Sequence, residues 1–147
     1  MQGKNVLLVE DNRLLRWWMS NSLEREGYFV ATSNSAEEAL RLAASFPFDI
    51  LITDWRLSDG RTGLEILARV RETCPGTLAV LISAEADSPG QGTAGDLEDS
   101  QAREGNTLAE RARASGFDLV IQKPFPVAEI VGAVHNLSTH PRPEVAQ

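Results

Sequence analysis

The sequence predicts an α/β chain: a doubly wound, five-stranded parallel sheet held between two helical layers as a three-layer sandwich. Short apolar runs rich in Val, Ile and Leu alternate with segments of helical period, and the runs are apolar throughout, as strands covered on both faces require. Cap and turn residues fall between them, so each strand is followed by a helix. That order implies parallel pairing through right-handed crossovers. With 147 residues, 42% of them hydrophobic, the chain is long enough for one domain with a real core and leaves little room for a second.

The first strand is read at Asn5 to Glu10. Leu15, Trp18, Met19 and Leu23 then recur at helical spacing as one buried face, which makes Trp18 a core residue and leaves Trp17 off the stripe. Gly27 suits the helix stop before a strand from Tyr28 to Ser33. Ser35 with Glu38 has the form of a capping box and starts the second helix. A strand follows from Asp49 to Asp54, then a second box, Thr62 with Glu65, opens a helix whose face is Gly63, Ile66, Leu67 and Val70. The fourth strand is Leu78 to Ser83. Gly116 stops a helix before the fifth strand, Leu119 to Gln122, and Pro126 suits the first turn of a final helix carrying Val127, Ile130, Val131 and Val134.

Charge narrows the classes of partner. The formal net charge is −7 and no Lys/Arg cluster interrupts it, which argues against a nucleic-acid backbone as the main partner. The N-terminal MQGKNVLLVE has an apolar run too short for a signal peptide or a membrane span, and the single Cys74 has no internal disulfide partner. No membrane association and a soluble, reducing, cytoplasmic setting are expected. Cys74, His135 and His140 lack partners at metal-ligand or triad spacing and are read as structural or exposed.

In doubly wound sheets chemistry collects beyond the carboxyl ends of the strands. Those ends carry Glu10 and Asp11, Asp54, Ser83, and Lys123 with Pro124. Taken singly, each is an ordinary turn, cap or surface residue; on one rim they become a site. Carboxylates within about 4 Å repel by roughly 1–4 kcal/mol per pair, so the cluster needs a cation. A few hard oxygen ligands suit Mg²⁺, which keeps several waters and accepts a phosphate oxygen as well. Three carboxylates, one Mg²⁺ and one lysine sum to zero, leaving a pocket able to take an anionic phosphoryl group on Asp54.

The segments VLLVEDN, ILITDWRL, LISA and IQKPF, in that order, resemble the receiver domain of two-component response regulators, over roughly Lys4 to Leu137. The resemblance implies a flavodoxin-like sandwich and a phosphoacceptor signalling domain, an aspartyl phosphoprotein that is not itself an enzyme beyond slow self-dephosphorylation. In it, Asp54 takes a phosphoryl group from the histidine of a kinase or phosphotransfer protein. Glu10, Asp11, Asp54 and the backbone carbonyl of Arg56 hold Mg²⁺, while Ser83 and Lys123 bind the phosphoryl oxygens. It further implies a cis Lys123-Pro124 bond, a homodimer through the face of the fourth helix, fifth strand and fifth helix, and a phosphotransfer partner docking near the first helix. Trp17 there is either a chance exposed aromatic or a partner contact. Trp55, next to the acceptor, points to the opposite side of its strand and is expected to pack.

The chain departs from the family pattern in three places. The turn WRLSDGRTG has Ser58 where proline is common and reaches Gly63 one residue late, a form resembling receivers attached to hybrid sensor kinases. Position 120 is Val120 where an aromatic ring is common, so coupling through a swinging ring is not available. About forty positions separate Ser83 from Lys123, and the excess, EADSPGQGTAGDLEDSQAREGN, is poor in apolar side chains. It is expected to be a mobile loop, or a weakly formed extra helical turn, at about 85–106. Residues 138–147 are expected to form a disordered tail or truncated linker. Either a stand-alone receiver or a piece of a larger regulator is expected. Two other classes compete. A haloacid-dehalogenase-like phosphohydrolase wants an acid two positions after its nucleophile, where this chain has Arg56. A phosphorylation-independent adaptor would not need the full acidic cluster.

Overall fold

In the computed structural model the described residues are 4–57, 59–83 and 108–139. The elements are β1 (Asn5–Val9), α1 (Arg13–Arg25), β2 (Phe29–Ser33), α2 (Ala36–Ser45), β3 (Ile50–Asp54), α3 (Gly63–Thr73), β4 (Leu78–Ser83), α4 (Leu108–Ala114), β5 (Leu119–Gln122) and α5 (Val127–Thr139). The five strands pair in parallel in the order β2-β1-β3-β4-β5, so the order reverses at β1, where doubly wound sheets gather their chemistry. Ser58, the expected loop at 85–106, and the tail from His140 onward lie outside the described residues.

Period-two alternation sends each strand's side chains into two separate cores. Val6, Leu8, Ile50, Ile52, Val80, Ile82 and Ile121 pack under α1 and α5 with Met19, Leu23, Ile130 and Val134. Leu7, Val9, Leu51, Ala79 and Leu81 face α2, α3 and α4 with Ala39, Ile66, Val70, Ala112 and Phe117. Covering both faces is what makes the central strands apolar throughout.

Helix starts follow the expected chemistry with one exception. Ser35 Oγ accepts from the Glu38 amide at 3.2 Å, the forward half of a capping box, while the Ser35 amide donates to Ser33 Oγ at 3.2 Å in place of the Glu38 carboxylate. Thr62 stands at the α3 N-cap but its side chain makes no capping hydrogen bond. Its backbone instead bridges Arg56 across the turn, which holds the segment in another way. Pro126 directly precedes α5, and its carbonyl accepts from the Glu129 amide at 2.9 Å.

Trp18 is not a core residue: it is 53% exposed. Leu15, Met19 and Leu23 occupy the sheet-facing stripe, and one residue's rotation of about 100° carries Trp18 onto the flank.

Away from the rim, a single guanidinium ties three elements. Arg71 at the end of α3 donates to the Thr77 carbonyl at 3.1 and 2.7 Å and to the Gly116 carbonyl at 2.8 Å, and pairs with Asp118 at 3.3 Å. Asp118 also accepts from the Ala79 amide at 2.8 Å. Gly116 has φ +116°, and a Cβ there would stand 2.7 Å from Arg71 Nη1, so this helix stop needs glycine for conformation and for room. Arg71→Ala takes one donor from each of these partly buried carbonyls and the ion pair from Asp118. It is expected to lower unfolding free energy by about 2–3 kcal/mol in urea titration, with no effect on rim chemistry.

Candidate functional site

The rim is assembled by strand alternation. Val6, Leu8 and Glu10 continue one face of β1; Ile50, Ile52 and Asp54 continue the same face of β3; Leu119, Ile121 and Lys123 continue it on β5. Parallel register then brings their ends level, since Val9 pairs with Thr53 and Asp54 with Ile82. Lys123 Nζ lies 3.1 Å from Glu10 Oε2 and 3.3 Å from Asp54 Oδ1. One carboxylate oxygen from each of Glu10, Asp11 and Asp54 lies within 4.8 Å of the other two. Ser83 is buried at the end of β4, and its carbonyl accepts from the Lys123 amide at 2.8 Å. The Lys123-Pro124 bond is cis.

Local structure fixes each group. Asn12 caps α1 by accepting from the Leu15 amide at 2.9 Å, while its own amide donates to Glu10 Oε2 at 3.0 Å. Arg16 Nη1 reaches back to the Glu10 carbonyl at 2.7 Å, fixing the strand end that bears both acids. The Arg56 turn closes on itself: the Leu57 amide donates to the Arg61 carbonyl at 2.9 Å and the Gly63 amide to the Trp55 carbonyl at 2.8 Å. Leu57 is buried beneath it, and Asp59 accepts from the Glu37 amide of α2 at 3.2 Å. Sequence reasoning missed Asn12, Arg16 and Asp59; Asn12 closes the Glu-Asp-Asn string two residues after Glu10, and Arg16 follows it by one helical turn.

Gly63 permits the close approach of α3 to the acceptor. A Cβ on Gly63 would collide with the Asp54 carbonyl oxygen and stand 2.7 Å from Thr53 Cγ2. Gly63→Ala is expected to push α3 away from the end of β3, lowering stability by about 1–3 kcal/mol in chemical denaturation and loosening the Arg56 turn.

Trp55 points away from the rim, packs on the α3 and α4 side and meets Phe117 edge-on, with ring centroids 6.4 Å apart and planes at 64°. Val120 is half-buried on that same side, in register with Leu81. Trp17 is 58% exposed on α1. Cys74 is a free thiol, partly buried, at the end of α3.

Electrostatics distinguish the acids. Glu10 is fully buried, and its Oε1 has no hydrogen-bond partner among the described residues. Burial first, then the charge of Glu10, pushes the Asp54 carboxyl up to about 7 against the opposing pull of Lys123. For Lys123, burial works to lower the ammonium pKa, but the carboxylates of Asp54 and Glu10 outweigh it and the net direction is upward. A buried carboxylate oxygen with an unused lone pair, beside two further carboxylates, is a donor set that fits a hard divalent cation.

A parallel five-stranded sheet with acids and a lysine at its carboxyl edge defines an α/β phosphoacceptor of the doubly wound class. Residues 6–98 match the family model of the response regulator receiver domain, so the chain belongs to that family, the phosphoacceptor signalling domains of two-component systems. It is similar to the transcriptional regulatory protein YkoG of Bacillus subtilis, 27% identical over 134 residues, covering 91% of this chain and 50% of that protein. The alginate biosynthesis regulator AlgB of Pseudomonas putida is 38% identical over 85 residues, 58% of this chain and 18% of AlgB. The chain therefore spans about half or less of the length of these relatives. Among solved structures, chemotaxis response regulator CheY4 of Vibrio cholerae superposes with a TM-score of 0.70 at 24% identity, covering 92% of this chain and 99% of that one. Response regulator TrrA of Thermotoga maritima, in complex with Mg²⁺-BeF, gives 0.64 at 26% identity, covering 91% and 98%. Among the described residues no helix is long and apolar enough to cross a membrane.

Proposed function

We propose that Asp54 is the phosphoacceptor and that Glu10, Asp11, Asp54 and the Arg56 backbone carbonyl hold Mg²⁺. The single observation that carries this reading is the fully buried Glu10 carboxylate, whose Oε1 has no hydrogen-bond partner among the described residues, grouped with the carboxylates of Asp11 and Asp54. A bound Mg²⁺ would supply neutralisation of phosphoryl oxygens. The ionised Asp54 oxygen attacks phosphorus of a phosphohistidine, the P–N bond breaks, and the imidazole leaves with its electron pair and is protonated. Lys123 balances the charge gathering on the phosphoryl oxygens, and Ser83 donates a hydrogen bond to one of them. Pro124 sets the turn behind Lys123. Positioning and charge are sufficient for such a transfer, and Arg56 stands where a phosphohydrolase would need its acid, so only slow self-dephosphorylation is expected.

The donor is a histidine kinase or histidine phosphotransfer protein, docking beside the rim on α1, where Trp17 is exposed. The α4-β5-α5 face is the candidate homodimer surface. With Val120 in place of an aromatic ring, output leaves the rim by a route other than a swinging ring. The domain is taken as residues 1–137 with an insertion at 85–106, and α5 continues two residues beyond Leu137. The relay is placed in the cytoplasm, and the net negative charge speaks for protein-protein contact by this segment rather than direct contact with nucleic acid.

Incubation with Mg²⁺ and acetyl phosphate should yield one hydroxylamine-labile adduct by intact mass, absent in Asp54→Asn. Beryllofluoride should change tryptophan fluorescence through Trp55. An adduct that persists in Asp54→Asn, or rapid multiple turnover of a phosphate ester, would overturn the reading.

A further inference from the structure

The first helix carries more exposed apolar surface than its fold needs: Leu14 is 64%, Trp17 58% and Trp18 53% exposed. These side chains fall on two flanks. Arg13, Arg16, Trp17 and Ser20 share one stripe by their three- and four-residue spacing, offset from the Leu15, Met19, Leu23 stripe on the sheet. With Leu14 and Thr32 of β2 that stripe encloses an open groove of about 660 Å³ between α1 and the sheet edge. Trp18 is not among the groove's lining residues.

Two features define what fits. First, the groove is mostly apolar, and two of its lining residues, Arg13 and Arg16, are cationic on a chain whose net charge is −7. Arg16 spends Nη1 on the Glu10 carbonyl, and the exposed Arg13 stands beside it. Second, β2 is an edge strand whose one neighbour among the described residues is β1. The Phe29 amide and the Ser33 carbonyl both bond toward β1, at 2.9 and 3.0 Å. Alternation therefore turns the N–H and C=O of Val30 and Thr32 to the open edge, beside the groove.

We infer that this groove docks an extended, acidic segment of a partner protein, which adds to the open edge of β2, seats an apolar side chain against Trp17 and sets its carboxylates on Arg13 and Arg16. The inference deepens the docking reading given above and rests on it for the partner being a phosphodonor; the recognition chemistry stands on the groove itself. Main-chain bonds supply the generic affinity, and the arginines exclude basic segments.

The test uses a capped peptide, EDVLVED, titrated into the whole chain and followed by amide NMR shifts and tryptophan fluorescence. Expected are saturable shifts at Val30 to Thr32, a Kd below about 1 mM, weakening with added salt, and at least tenfold loss for KKVLVKK. Arg13→Glu and Trp17→Ala should each weaken binding about tenfold, while Trp18→Ala leaves it unchanged. Thr32→Pro removes an outward N–H together with a side chain that lines the groove and should abolish binding with the thermal transition retained, whereas Thr32→Ala, which keeps the N–H, should not; if the proline unfolds the chain, EDVLVED N-methylated on one edge serves instead. No shift at millimolar peptide, equal binding of KKVLVKK, shifts confined to the Trp18 flank, or self-association that Trp17→Ala dissolves would each overturn the inference. Beryllofluoride binding, read in the same samples, reports separately on Asp54: its failure with peptide binding intact removes the phosphoacceptor reading and leaves the groove.

Discussion

Lys123→Ala is expected to cost the metal-free protein about 3 kcal/mol of stability at pH 8 and to reduce phosphorylation by acetyl phosphate at least a hundredfold. Lys123 Nζ sits 3.1 Å from a fully buried Glu10 carboxylate and 3.3 Å from Asp54. Removing one member of a buried charge cluster costs more than the pair contributed, about 3–5 kcal/mol, because the partners remain desolvated without a counter-charge. Here Asp54 can take up a proton and recover part of that, which places the expectation at the lower end. Addition of Mg²⁺ should restore much of the lost stability, since a divalent cation answers the same excess of negative charge. Urea unfolding of both proteins in EDTA and in Mg²⁺ measures this; a Lys123→Ala protein as stable as the parent in EDTA would show that the cluster is not electrostatically coupled. Lys123→Arg keeps charge but not the compact ammonium, and should retain stability better than phosphorylation.

The second large effect has the opposite sign. Asp54→Asn is expected to stabilise the metal-free protein at pH 8 by about 2 kcal/mol while abolishing phosphorylation. Burial, then the charge of Glu10, raises the folded Asp54 carboxyl from 3.8 to about 7. Between those values the folded chain holds a proton that the unfolded chain has lost, so stability is greatest below the unfolded value, falls as pH rises toward 7, and levels off above it. Each unit of difference corresponds to about 1.4 kcal/mol, and the expectation is set below the full product because the amide introduced by Asp54→Asn carries its own cost of burial. Asp54→Asn removes this pH-dependent loss, so its thermal midpoint in EDTA should be nearly flat from pH 6 to 8 where the parent's declines. A parent whose midpoint rises across that range would reverse the assigned sign. An acid that destabilises its own fold until a cation or a phosphoryl group is bound belongs to function rather than to packing.

Much of the site was legible because it follows from alternation. Glu10, Asp54 and Lys123 were readable as strand ends on one rim, and each lies two residues beyond an apolar residue of one sheet face, which is why strand parity sends them to the same side. Trp55 was readable the same way, one residue off that parity and found packed against Phe117. Trp18 was not, because helical spacing admits Leu15, Met19 and Leu23 with or without it, and the width of the apolar stripe is set by what the sheet leaves uncovered. Thr62 had the right residue for a capping box, but its backbone pairing with Arg56 took over the task of holding the turn.

What the sequence by itself determined is the order of elements, the two-faced sheet and the identity of the charged rim, since these depend on local period and strand parity that neighbours do not alter. What only the tertiary structure decided is the strand order that sets β2 at an edge, the burial of Glu10 Oε1 with no partner among the described residues, the Arg71 clamp between α3 and β5, and the groove beside Trp17. Each of these is a relation between residues distant in sequence, fixed by which surfaces meet when the layers close, and no local pattern encodes a distance across that closure.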